Sequence, residues 1–195
     1  MRFSEALEGQ IHAVDCVDFM RSLEPHWADA IITGPSANEQ GKWVKRERRW
    51  MVNFARALRF GGVLALLGRP GWCSRQERAV RRVGFNVLGI CGTPESSFSG
   101  KEVLVAVLGS QVEVRQPPNP WKMVCSRVQW GSSVPVEQVV AIVEEYTKPG
   151  ELVFDPFMGL GTTAMACERT GRRWVGCEIE AGRAQDATRR IEAIR

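Results

Sequence analysis

The stretch of this chain with the clearest chemical signal is Leu152-Val-Phe-Asp-Pro-Phe-Met-Gly-Leu-Gly-Thr-Thr163. It reads as a buried strand ending in an acid, then a Gly-x-Gly turn, then the start of a helix. Gly159 and Gly161 can take backbone conformations closed to other residues, and they let a ligand come close to the main chain. The helix start presents unpaired N–H groups. Roughly twenty residues later the next strand ends in Glu178, at the spacing where an acid accepts hydrogen bonds from a ribose. Strand, acid, turn, helix start and second acid together point to a nucleoside site. No lysine follows the glycines, so this is not a P-loop. A dinucleotide fingerprint would have a third glycine, whereas Thr162-Thr163-Ala164 follow Gly161.

The remaining reactive residue types offer less. Six cysteines stand at 16, 73, 91, 125, 167 and 177, none in CxxC spacing. With only two histidines, His12 and His26, no zinc set can be assembled, so no metal is expected. The thiols are expected to be reduced and mostly buried. Neither histidine has a sequence neighbour that would make it a ligand or a base.

Charge is uneven. The net charge is +4, but the segment from Lys42 to Arg82 holds twelve basic residues against Glu47 and Glu77. That segment carries +10 and the rest of the chain −6. Such a face can meet phosphates or an acidic partner, or it can simply be a solvated helix surface. Lys42, Lys45, Arg46, Arg48 and Arg49 are the candidate nucleic-acid contacts. Trp43 and Trp50 flank them, where they either stack on bases or anchor the helix to the core.

Strand and helix patterns alternate along the chain, which argues for an α/β fold with a largely parallel sheet. Strands are expected at 11–14, 29–33, 63–67, 87–90, 103–108, 152–155 and 174–178. Helices are expected at 18–23, 43–58, 74–83, 136–147, 162–169 and 181–194. Gly61-Gly62 is expected to form a turn, and the prolines of Gln116-Pro-Pro-Asn-Pro120 a linker. A length of 195 residues suits one domain. The N-terminus lacks the basic-then-apolar order of a secretion signal, and no apolar run is long enough to span a bilayer, so a cytoplasmic location is expected.

Asp155-Pro-Phe-Met-Gly-Leu-Gly-Thr-Thr163 resembles the cofactor motif of the DNA amino-methyltransferases, which methylate adenine N6 or cytosine N4. Arg172-Arg-Trp-Val-Gly-Cys-Glu-Ile-Glu180 resembles that family's second cofactor segment. Pro135-Val-Glu-Gln through Pro149-Gly150 resembles the helix before the motif. Ala13-Val-Asp-Cys16 is similar to its Asp-Cys segment, and Leu58-Arg-Phe-Gly-Gly-Val-Leu-Ala-Leu-Leu67 to its Gly-Gly turn into a strand. The order is that of the permuted class, with the catalytic half first.

The resemblance implies a Rossmann-like S-adenosylmethionine (SAM) dependent methyltransferase fold. Its three α-β-α layers would enclose a mostly parallel seven-stranded sheet, with Val103 to Leu108 as the antiparallel strand near the edge. It also implies one domain over 1–195: a catalytic-type half at about 11–110, a variable segment at about 91–130 and a cofactor half at about 134–195. By resemblance the cofactor is SAM or S-adenosylhomocysteine. Glu178 would hold the ribose, and Asp15 and Cys16 would lie by the adenine. Asp155, Phe157, Gly159, Gly161 and Thr162 would surround the methionine part, with Thr163 nearby.

Two motifs depart from the family. Its catalytic Asp/Asn-Pro-Pro-aromatic is replaced by Gly34-Pro35-Ser36-Ala37. Gly34 cannot accept a hydrogen bond from the target amino group, and Ala37 cannot stack on a flipped base. The family's His-Pro-Thr-Gln-Lys-Pro is replaced by Trp130-Gly-Ser-Ser-Val-Pro135. Three readings follow. The first is a catalytically impaired relative that binds SAM and acts as a binding, regulatory or partner subunit. The second is an active DNA methyltransferase whose acceptor comes from Ser36, Asn38 or Glu39. The third is an interaction module that retains only the fold. DNA, through the 42–82 segment, and a protein partner or second subunit are the partners these readings imply.

Overall fold

The structure, a computed structural model, describes residues 2–35, 48–69, 71–92, 102–109 and 135–195. Ser36, Ala37, Asn38, Glu39, Lys42, Trp43, Lys45, Arg46 and the 116–120 linker lie outside the described residues.

The strands are β1 (Ile11–His12), β2 (Ala28–Thr33), β3 (Leu58–Gly68), β4 (Phe85–Gly92), β5 (Glu102–Leu108), β6 (Leu152–Asp155) and β7 (Arg173–Cys177). They form one seven-stranded sheet in the order β1-β7-β6-β2-β3-β5-β4. Every neighbour from β1 to β3 is parallel, and β5 runs antiparallel to both β3 and β4. The antiparallel strand thus lies next to the edge, as expected.

The helices are α1 (Cys16–Ser22), α2 (described over 48–57), α3 (Trp72–Arg82), α4 (Val136–Tyr146), α5 (Thr162–Thr170) and α6 (Ala181–Glu192). They cover the two faces of the sheet in two apolar layers. On one face Phe19 and Met20 of α1, Trp50 and Phe54 of α2 and Val80 of α3 pack with Leu64, Leu104 and Phe154. On the other, Val139 and Ile142 of α4, Ala164 and Met165 of α5 and Ile191 of α6 pack with Ile32, Ala65 and Val153. Among the described residues no helix is long and apolar enough to cross a membrane.

Helix α1 and strand β3 depart from the sequence expectation, the first through a local cap and the second through contacts with other segments. Helix α1 begins at Cys16 rather than Asp18, because Asp15 caps it: its carboxylate accepts from the Val17 N–H at 2.8 Å. Strand β3 begins at Leu58, so Leu58 is not helical and Gly61-Gly62 lies within the strand. There the register moves from Ala28↔Leu58 to Ala30↔Val63, so residues 59–62 bulge out of the ladder. Arg59 fixes the bulge by pairing with Asp29 at 2.6 Å and Glu151 at 2.9 Å. A pattern of apolar periodicity cannot register such an insertion. The bend looks like a turn in sequence because both require glycine.

Candidate cofactor site at the sheet's switch point

Connections leave β6 and β2 in opposite directions along the sheet, so the two adjacent strands form a topological switch point. Ligands of open α/β sheets bind in the crevice beyond the carboxyl ends of such strands. Asp155 ends β6 and Thr33 ends β2.

The Asp155 carboxylate is the hub of this crevice. It is 3% exposed. Its Oδ1 accepts from the Thr33 hydroxyl at 2.6 Å and the Phe157 N–H at 3.0 Å. Its Oδ2 accepts from the Thr163 hydroxyl at 2.6 Å. Burial pushes Asp155 up to about 6, the Thr163 and Thr33 hydroxyls and the Phe157 amide pull it back, and the nearby Glu178 carboxylate adds a smaller upward push.

Glu178 follows β7 and is 7% exposed. Its Oε2 accepts from the Gly159 N–H at 2.9 Å and its Oε1 from the Glu180 N–H at 3.0 Å. Each oxygen retains a free lone pair. The acid therefore reaches across to the cofactor turn while remaining able to accept hydroxyl donors. Beside it Ile179 is 61% exposed, and Leu160 at the turn is 47% exposed. Polar acceptors next to bare apolar side chains suit a ligand that is part ring, part polyol.

Close packing shapes the turn. Gly161 caps α5 with φ +83°, and a Cβ there would meet Ile191 Cδ1 of α6 at 3.1 Å. Met158, which the sequence did not single out, fills the space a side chain at position 176 would need. A Cβ on Gly176 would lie 2.2 Å from Met158 Cε. Thr33 also escaped the sequence reading. Its one signal was its place at the strand end just before Gly34-Pro35, and its partner lies 122 positions away.

The other expected site residues fall as follows. Phe157 is half-buried and meets Trp50 edge-on at 4.9 Å between ring centroids. Trp50 is 5% exposed, so it anchors α2 to the core and is not free to stack on a base. Thr162 and Thr163 open α5. Asp15 and buried Cys16 lie at the start of α1, just past β1, and β1 pairs with β7. Gly34 is exposed and Pro35 buried, directly after Thr33. Arg48 and Arg49 are exposed, and Arg49 pairs with Asp18 at 3.2 Å.

Cys16, Cys73, Cys167 and Cys177 are buried and not in disulfides. Burial pushes Cys73 up to about 12 and raises Cys167 and Cys177 as well, so these three thiols stay protonated at neutral pH. Among the described residues no group of histidines, cysteines and acids could hold a metal.

Comparison with known proteins gives matches in sequence and in fold. A family model described as DNA methylase (N6/N4) matches residues 115–189. The Escherichia coli (strain K12) protein named "Putative methylase YubD" is 25% identical over 92% of this chain and 88% of its own length. The type II methyltransferase M2.DpnII of Streptococcus pneumoniae is 33% identical over 69 residues, which are 33% of this chain and 26% of that protein. Among solved structures, the Thermus thermophilus protein TTHA0409, complexed with S-adenosyl-L-methionine, superposes with a TM-score of 0.75. That match is 20% identical and covers 94% of this chain and 95% of the other. Residues 115–189 thus match the DNA methylase family model, and the chain as a whole shares the fold of these solved methylase structures.

Proposed function

We propose that this protein binds SAM in the crevice around Asp155 and Glu178 and is impaired in methyl transfer to DNA, acting as a binding, regulatory or partner subunit. One observation carries this reading. The acids and the turn of the cofactor site are complete, while the adjacent strand end presents Gly34 to solvent where the family places its acceptor.

SAM, when bound, supplies an activated methyl group. Glu178 accepts from the ribose hydroxyls, and Ile179 gives the adenine an apolar surface. Asp15 and Cys16 close the adenine end. Gly159, Gly161 and Thr162 let the methionine part lie against the main chain. Asp155 and Thr163 hold that turn in shape, with Phe157 braced on Trp50. Pro35 orients the chain after β2, but Gly34 has no side-chain oxygen to accept a hydrogen bond from a target amino group. The nitrogen therefore stays a poor nucleophile.

Calorimetry with SAM and a methyl-transfer assay on DNA test the two halves separately. Binding without transfer supports the reading. Transfer by the unaltered protein would overturn impairment and place the acceptor at Ser36, Asn38 or Glu39.

DNA is the proposed partner of the basic 42–82 segment. Arg48, Arg75, Arg78 and Arg82 are exposed and form no ion pair among the described residues. Changing Arg46, Arg48 and Arg49 to glutamate should weaken binding to a short duplex by roughly tenfold or more near 100 mM salt. It should also flatten the log–log salt dependence by about two to three. Fluorescence anisotropy across a salt series reads both quantities, and unchanged affinity would rule that surface out.

A further inference from the structure

Asp155 is a buried acid. Among the described residues it forms no ion pair, and its charge is held by three neutral donors. These come from three separate places: the end of β2, the residue two beyond Asp155 in the turn, and the first turn of α5. The Thr33 hydroxyl is the only one of the three that belongs to the catalytic-type half of the chain. Thr33 is fully buried at 0% exposure, and the next residue is Gly34.

We infer that Thr33 is a positioning residue: by donating its hydroxyl to Asp155, it locks the cofactor turn to the strand end that carries Gly34 and Pro35. The inference rests on the proposed SAM site and names a residue that acts on that site through Asp155. The reasoning is one of donor count. Ionised, the carboxylate accepts all three donors, and the turn and the strand end share one rigid hub. Protonated, it donates its O–H to one of the two hydroxyls, whose own proton then turns to another acceptor, as that of Thr163 can toward the Ile32 carbonyl at 3.5 Å, and the three-donor hub is lost. Among the described residues, the other ionisable groups facing this hub are the Glu178 carboxylate after β7 and the thiols of Cys167 on α5 and Cys177 on β7. All oppose the negative charge or leave it unsupported, so the hydroxyls decide whether it is kept.

Thr33→Val preserves shape and deletes the donor, and Thr33→Ser restores the donor. The first measurement needs no cofactor: NMR titration of the Asp155 carboxyl in protein labelled at aspartate. Thr33→Val should raise its midpoint, about 6 in the natural chain, by about one unit, a tenfold change in ionisation constant. Thr33→Ser should stay close to the natural chain. The second measurement is SAM affinity at two pH values. Thr33→Val should bind about fivefold more weakly near pH 6 and equally well near pH 8.5, where the acid is ionised in both proteins. A purely structural defect would weaken binding to the same extent at both.

An unmoved midpoint, or an equal loss at both pH values, overturns the inference. If the natural chain binds no SAM, the midpoint still decides the role of Thr33, and only the binding proposal falls. Should Thr33→Val not fold, Thr33→Ala carries the same two readouts.

Discussion

Rebuilding Asp-Pro-Pro-Tyr at residues 34–37, by Gly34→Asp, Ser36→Pro and Ala37→Tyr, should raise methyl transfer to DNA by about three to five powers of ten. A directed hydrogen-bond partner in a transition state contributes about 3–4 kcal/mol. An aromatic platform for a flipped base contributes about 1–3 kcal/mol. At about 1.4 kcal/mol per tenfold, the two together give that range. The backbone should accept the first change. A Cβ on Gly34 would lie 3.4 Å from Leu67 Cβ, an ordinary contact, and the residue is exposed. Gly34→Asp alone should recover about two to three of those powers. Transfer of radiolabelled methyl from SAM to mixed-sequence DNA measures the series. An unaltered protein as fast as the rebuilt one would show that the glycine costs nothing and that the acceptor lies elsewhere.

Glu178→Ala should lower SAM affinity by at least about a hundredfold. Two hydrogen bonds from hydroxyls to a buried carboxylate are lost, each worth about 1.5–3 kcal/mol. The Gly159 N–H also loses the acceptor it holds at 2.9 Å, which frees the turn. Glu178→Gln keeps the size and one acceptor, so its loss should be about tenfold. A linked effect fixes the sign of the electrostatics. Glu178 pushes Asp155 upward, so Asp155 should titrate at lower pH in Glu178→Ala than in the natural chain. Affinity for SAM within threefold of the natural chain would remove Glu178 from the site.

Much of this was legible in the sequence because it was local. The 152–163 stretch encodes its own strand, turn and helix, and both turn glycines take positive φ: +54° at Gly159 and +83° at Gly161. Strand β5 and the three helices of the cofactor half also fell where their periodicity put them, with Gly171 ending α5 in a left-handed cap. What escaped was contact between distant segments. Nothing near Thr33 reveals that its hydroxyl meets an acid beyond position 150, and nothing near Met158 reveals that it nests on Gly176. Trp50 carried two readings in sequence, stacking on bases or anchoring α2, and only packing against Phe157 decides between them. The β3 bulge was missed for the same reason, since Arg59 holds it through Asp29 and Glu151 on two other segments.

The proposed SAM site is the crevice between β6 and β2. Titrating the purified natural protein with SAM in a calorimeter tests it most directly. Saturable binding at one site per chain is expected, with a dissociation constant on the order of micromolar. Saturating SAM at about a hundred times that constant should then stabilise the fold by about 2.7 kcal/mol. Folded protein that gives neither binding heat nor any rise in Tm with SAM would contradict it.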